Sequence, residues 1–365
     1  MTTLSAPPID ERKSSAFAEK MLGVINDGAV ALMTSIGHRT GLFDRLADLP
    51  PSSSAEIAEA AGLNERYVRE WLGAMVTGGV IEHEPSTNTF VLPPEHAKWV
   101  TRSAGVDNMA STTQWVAVMA SVEDHITDCF KHGGGAQYCQ YHRFHEVMAE
   151  ESGGTVVDAL FDHILPLEPG LTNRLDEGID VLDVGCGAGR AMNMLAERFP
   201  ASRFTGFDLC PDAVEAARDE AKRHGSKNIR FEATDVARLN GARTFDLVTA
   251  FDAIHDQADP AGVLSGIHRA LNPEGLFLMQ DIAASSHLHK NMDHPIGPFL
   301  YTISTTHCMS VSLAQGGAGL GTVWGEELAR DMLAEAGFDD VEVKQLPHDM
   351  INSYYLARRR GKRAR

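Results

Sequence analysis

Short apolar runs alternate with amphipathic stretches through the second half of the chain. VLDVGC, RFTGFDL, IRFEAT, FDLVTA and LFLMQD each have the length and composition of a buried strand. Between them AMNMLAERF and AVEAARDEAKRHG carry helical spacing. That alternation predicts a doubly wound, mainly parallel α/β sheet over residues 176–365. GEELARDMLAEAGF then reads as a helix, and VEVKQL and SYYLARR, close together, predict a terminal antiparallel hairpin.

Residues 1–100 have a different pattern. AVALMTSIGHRTGLFDRLADL ends at Pro50-Pro51, SSSAEIAEAAGL opens with serine caps, and NERYVREWLGAMVTGGV stops at Gly78-Gly79. VIEHEPSTNTFVL reads as two short strands around a turn, so the order is that of a winged helix. Residues 101–175 read as a helical linker broken by the glycines of HGGGAQYCQYHRFHEVM. Tyr138, Tyr141 and Phe144 follow that hinge, and either pack in a core or belong to a lid over a bound cofactor. After Asp281 comes HPIGPFLYTISTTHCMSVSLAQGGAGLGTVWG, whose glycines favour a mobile loop over a packed element.

Composition narrows the function. The chain has 365 residues, 43% hydrophobic and 22% charged, as in ordinary globular proteins. It has no bilayer-length apolar run and no signal pattern at the N-terminus. Five scattered cysteines without a CxxC pair fit reduced thiols in a cytoplasmic protein. The net charge of −18 argues against a nucleic-acid partner, and no membrane partner is expected. In residues 1–100, 13 acids stand against 8 Lys or Arg, a net of −5, and the third helix offers only Arg66 and Arg69 beside Glu65 and Glu70. A DNA-reading helix needs a basic face, so dimerisation or cover for a substrate is the expected role. The basic tail RRRGKRAR (358–365) reads as a solvated terminus, or as a contact for a membrane or acidic partner.

The first strand of the sheet ends in Asp183-Val184-Gly185-Cys186-Gly187-Ala188-Gly189. Such a turn brings backbone close to a ligand at the positive end of the next helix. The sixth position of the dinucleotide fingerprint is Arg190 rather than Gly or Ala, which argues against NAD. Asp208 closes the second strand and can accept from two ribose hydroxyls. Asp235 closes the third and can accept from an adenine amino group. Acids at three successive strand ends, with the glycine turn, mark the ligand edge of a doubly wound sheet.

In this order and spacing, VLDVGCGAG, FTGFD, FEATD, FDLVTAFDAIHD and LNPEGLFLMQD resemble the motifs of class I S-adenosylmethionine-dependent methyltransferases, over about residues 178–283. The N-terminal region further resembles the dimeric small-molecule O-methyltransferases, whose first domain pairs subunits and helps wall the active site. The resemblance implies a Rossmann-like methyltransferase sheet and S-adenosylmethionine as cofactor. Asp183, Gly185, Gly187 and Gly189 would hold its methionine end, Asp208 and Leu209 the ribose, Asp235 and Val236 the adenine. The backbone around Phe251 would line the cofactor beneath the sulfonium; on the lid reading of the glycine hinge, Tyr138 and Phe144 would close over it. The acceptor would be a small molecule and the protein a homodimer.

FDAIHDQ carries the candidate base. His255 lies beyond the fourth strand, before Asp259-Pro260, which reads as a helix start. It could be a polar loop residue, a base or a metal ligand. The last is disfavoured because His255 has no partner at HxH or HxxxH spacing. His255-Asp256 resembles the His-Asp pair of the small-molecule O-methyltransferases, in which the histidine is the base, although Gln257 replaces the tryptophan often found next. Tyr301, Ser304 and His307 are candidates for the acceptor pocket, with Cys308 beside them; packing against the N-terminal helices is the other reading. HLHKNMDHP (287–295) has HxH spacing in an expected loop, and no metal is expected there. The competing class is a winged-helix regulator that senses S-adenosylmethionine.

Overall fold

The computed structural model describes residues 9–238 and 244–359. They divide into two compact units, Met1–Val118 and Met119–Arg365.

In the first unit, helices α1 (Glu11–Thr40), α2 (Leu42–Asp48), α3 (Ser54–Ala61) and α4 (Glu65–Thr77) precede strands β1 (Glu82–Glu84) and β2 (Thr89–Val91). β1 and β2 pair antiparallel as the expected wing. Ser53 and Glu56 form a reciprocal capping box at the start of α3. The apolar faces of α2, α3 and α4 close on Phe43, Ile57, Trp71, Leu72 and Met75. Gly37 lets α1 approach this core, since a Cβ there would lie 2.5 Å from the Trp71 ring. The Trp71 indole donates to the Met33 carbonyl at 2.8 Å, so the ring is fixed at both ends. The N-terminal half of α1 has no such cover: Phe17, Met21, Leu22, Val24 and Ile25 are exposed.

The second unit is built on a seven-stranded sheet in the order β5-β4-β3-β6-β7-β9-β8. The strands are β3 (Asp180–Val184), β4 (Arg203–Asp208), β5 (Ile229–Ala233), β6 (Phe245–Phe251), β7 (Leu271–Ile282), β8 (Asp340–Leu346) and β9 (Asp349–Arg358). β3 to β7 run parallel, β9 runs antiparallel to β7, and β8 and β9 form the terminal hairpin. Strand order reverses at β3, which has β4 on one side and β6 on the other. One face of the sheet packs on a core with Leu195, Phe199, Phe204 and Phe231, the other on Leu264, Ile267, Phe277 and Phe338.

The segment after β7 departs from the expected loop. Residues Gly297–Ile303 and Met309–Ala314 are helical, joined by a wider turn at Ser304–Cys308, and His307, Cys308, Ser310, Val311 and Ser312 are buried. The glycines that suggested mobility begin only at Gly316, so the apolar spacing before them decides the structure. The basic tail largely falls outside the described residues. Arg358 pairs with Glu168, and Arg359 donates to the Leu271 carbonyl.

Candidate active site

The glycine turn stands at the carboxyl end of β3, where strand order reverses. Gly185, Gly187 and Gly189 all have positive φ, at 75°, 51° and 71°. Each is glycine for its own reason. A Cβ on Gly185 would lie 2.4 Å from the Ala253 Cβ, and one on Gly189 would lie 2.6 Å from the Phe231 ring. Those two glycines permit close packing. A Cβ on Gly187 would meet nothing within 4 Å, so this glycine borders open space. The helix Arg190–Arg198 begins here without a side-chain cap, leaving first-turn N–H groups for a ligand.

Asp208 ties the ends of β3 and β4 together. Its carboxylate accepts from the Gly187 N–H and from the Cys210 N–H, both at 2.8 Å. Asp183 sits deeper and accepts from the Thr249 hydroxyl at 2.6 Å. Burial pushes its carboxyl up to about 7, against the Thr249 bond, and the charge of Asp208 adds to the rise. Asp183 is therefore an internal brace of the turn more than a ligand-facing group. Asp235 accepts from the Ala237 N–H at 3.0 Å and pairs with Arg238. Val236 is buried in the core, while Leu209 is half exposed beside the turn.

The loop after β6 packs on this turn through Ala253, and His255 lies two residues on. His255 is buried, and its Nδ1 lies 2.8 Å from Oδ1 of Asp281 at the end of β7. The same carboxylate oxygen accepts from the Trp324 indole at 2.9 Å and the Ile282 N–H at 2.8 Å. With Nδ1 donating to Asp281, Nε2 is left as the acceptor. Burial works against a charged ring, but Asp281, and Cys308 beside it, outweigh that and hold the His255 pKa well above the ordinary value. A nitrogen with an orienting carboxylate behind it, at the ligand edge of the sheet, can take a proton from a bound hydroxyl.

Two family models match the chain. An Rv2258c-like winged HTH domain covers residues 28–102, and a methyltransferase domain covers 175–315. The second contains the glycine turn, Asp208, His255 and Asp281. Residues 175–315 belong to the methyltransferase domain family.

Among curated relatives, the erythromycin 3''-O-methyltransferase of Saccharopolyspora erythraea is 29% identical over 182 residues, covering 49% of this chain and 57% of that protein. The malonyl-[acyl-carrier protein] O-methyltransferase of Acetivibrio thermocellus is 31% identical over 98 residues, 27% of this chain and 34% of that one. The chain thus spans between a third and somewhat over half of the length of these relatives. The fold extends further. Human N-acetylserotonin methyltransferase, solved with S-adenosylmethionine, superposes with a TM-score of 0.67 at 18% identity, covering 98% of this chain and 99% of that one. The mitomycin 7-O-methyltransferase MmcR gives 0.68 at 16%, covering 96% and 100%.

In the second unit the remaining candidates fall into two groups. Tyr138, Phe144 and His307 form one group, joined to the His255 loop at Asp256. The Tyr138 hydroxyl donates to Asp256 at 2.5 Å, and the His307 ring stacks on Phe144 at 4.2 Å. Tyr141 meets the edge of His307 and donates to the Thr306 carbonyl at 2.6 Å. Tyr301 and Ser304 are engaged elsewhere. The Tyr301 hydroxyl accepts from Asn291 at 3.1 Å, and the Ser304 hydroxyl from the Thr322 N–H at 3.1 Å. Of the three proposed acceptor residues, His307 is the one that joins the Tyr138 and Phe144 rings. Phe251 is half-buried against the larger core.

Three residues carry more of the site than their sequence context suggested. Asp281 and Trp324 orient His255 from 26 and 69 positions away, at spacings that carry no local signal. Asp252 adopts a positive φ of 48° at the end of β6 and brings a carboxylate toward the same pair. An acid directly after an apolar strand run, as at Asp208, was the available sign.

Proposed function

We propose that this protein is an S-adenosylmethionine-dependent methyltransferase that methylates a hydroxyl of a small molecule, with His255 as general base. The observation that carries the reading is the buried His255–Asp281 pair, with His255 on the loop that packs against the glycine turn and Asp281 in β7. The cofactor supplies a methyl group already activated by its sulfonium. The chain supplies position and a proton acceptor. The backbone at Gly185 and Gly187 would hold the methionine end, Asp208 the ribose, and Asp235 with Val236 the adenine. His255 Nε2 takes the acceptor's hydroxyl proton while Asp281 holds the ring and stabilises the imidazolium. Tyr138 and the Phe144–His307 stack form one wall of the acceptor space.

The active form would be a homodimer through the first unit. The exposed row Phe17, Met21, Val24, Ile25 and Leu32 lies on one face of α1, at spacings of three, four and seven residues, an apolar stripe suited to a second copy. Light scattering should give twice the chain mass, and Ile25→Glu should give a monomer. A monomeric parent would remove the dimer from the reading. Among the described residues no helix is long and apolar enough to cross a membrane, and five free cysteines fit a reducing, cytoplasmic setting. A DNA-binding regulator finds little support, because Arg66 and Arg69 of α4 are paired with Glu70 and Glu65 of the same helix.

Calorimetry with S-adenosylmethionine and its demethylated product, followed by transfer of labelled methyl to a panel of phenols and alcohols, tests the activity. Binding of neither ligand would end the proposal.

A further inference from the structure

One oxygen on each of two neighbouring carboxylates is left without a partner. Asp281 is fully buried, and its Oδ1 collects all three of its hydrogen bonds, from His255, Trp324 and Ile282. Its Oδ2 is sealed from solvent and has none. Asp252 Oδ1 is likewise sealed and unpartnered. Ligand atoms of Asp252, His255 and Asp281 all lie within 4.8 Å of one another. Buried polar atoms are almost always satisfied, and each one left bare costs about 1–3 kcal/mol. Two bare carboxylate oxygens, on acids grouped with one imidazole, leave a place for a positive species among them.

Charge balance indicates which species. With both carboxylates charged, a protonated histidine leaves a net of −1, and burial, with the charge of Asp281 beside it, pushes the Asp252 carboxyl up against that state. Replacing the histidine proton with a divalent cation brings the sum to zero. The backbone also holds Asp252 in place at a cost, since a positive φ outside glycine is strained and such strain clusters at functional sites. The donor set of one nitrogen and two oxygens suits borderline divalent ions more than calcium or magnesium, which prefer all-oxygen shells.

We propose that Asp252, His255 and Asp281 form a binding site for one borderline divalent cation, of the zinc or manganese class. The ligands come from the ends of β6 and β7 and the loop between, which explains why no HxH or HxxxH spacing announces them. Trp324 and the Ile282 N–H hold the Asp281 carboxylate from behind, as outer-shell donors do at metal sites. The site goes beyond the methyltransferase reading and does not depend on it. The two meet at one atom: a cation on Nδ1 would keep the remaining proton on Nε2 and silence the base.

The test uses the full chain, stripped with chelator and without cofactor, titrated with zinc chloride and manganese chloride by calorimetry. Cobalt loading adds an absorption spectrum that reports the donors. One ion per chain is expected, with affinity lowered roughly 10–100-fold or more in Asp252→Asn. Asparagine tolerates the positive φ, so this variant should fold. The exposed pair His287 and His289, with ring centres 5.7 Å apart, is the competing place for an ion. His289→Ala should leave binding intact. No bound ion, or binding that survives Asp252→Asn and is lost in His289→Ala, would overturn the site. In the first case the two carboxylates share a proton instead.

Discussion

Asp281 Oδ1 lies 2.8 Å from His255 Nδ1, and both side chains are buried. With Nδ1 donating to Asp281, Nε2 is left as the nitrogen that would serve as the proposed base. His255→Ala should lower transfer to a hydroxyl acceptor by roughly 10²–10⁴-fold while leaving cofactor affinity unchanged. Labelled-methyl turnover and calorimetry on the same preparation separate the two effects. Unchanged turnover would reduce His255 to a packing role.

The same contact sets the pH dependence. The His255 pKa stands well above its ordinary 6.5, where burial is outweighed by Asp281. A base must be unprotonated, so kcat/KM should climb with pH along a limb whose midpoint lies above 6.5. Asp281→Asn removes the raising charge and keeps the shape, so the midpoint should move to lower pH. Asp281 acts through His255 and is a positioning residue; a merely structural role would lower the rate without moving the limb.

Gly185 and Gly187 should respond differently to alanine. Gly185→Ala meets Ala253 at 2.4 Å as well as a φ of 75°. It should cost about 1–3 kcal/mol in backbone strain and a similar amount in overpacking, seen as a lowered Tm. Gly187→Ala carries the φ cost alone, about 1–2 kcal/mol, because its Cβ enters open space. Its main effect should be a weaker Kd for S-adenosylmethionine. Equal Tm losses with equal affinity losses would mean that Gly187 is packing too.

Much of the second unit was legible because a parallel sheet writes itself as apolar runs of strand length, and its ligand edge follows from strand order. Gly187, Asp208 and His255 could be placed on that edge from sequence, since each lies at or shortly after the end of such a run. Asp281 was visible as a strand end but not as the partner of His255, because pairing between β6 and β7 is a tertiary fact. The stretch around His307 and Cys308 is helical where a loop is expected. The glycines that follow outweighed the apolar spacing before them, and the segment packs as helix against Tyr138, Tyr141 and Phe144. Asp252 directly follows an apolar run, but its place beside Asp281 is set by the fold.

Asp183 gives a prediction independent of turnover. Its carboxyl titrates near 7 in the folded chain, against 3.8 for an ordinary aspartate, because burial disfavours the charge. The folded state thus binds the proton more tightly than the unfolded state. The contribution is complete below about pH 4 and is lost as pH rises toward 7, by at most about 4 kcal/mol at about 1.4 kcal/mol per pH unit. Asp183→Asn stays neutral and can still accept from Thr249. Its stability relative to the parent should be near zero difference at pH 4 and should grow in the variant's favour up to pH 7, then level off. Urea midpoints at half-unit steps of pH measure this. Parallel curves for the two proteins would mean that Asp183 titrates as an ordinary carboxylate.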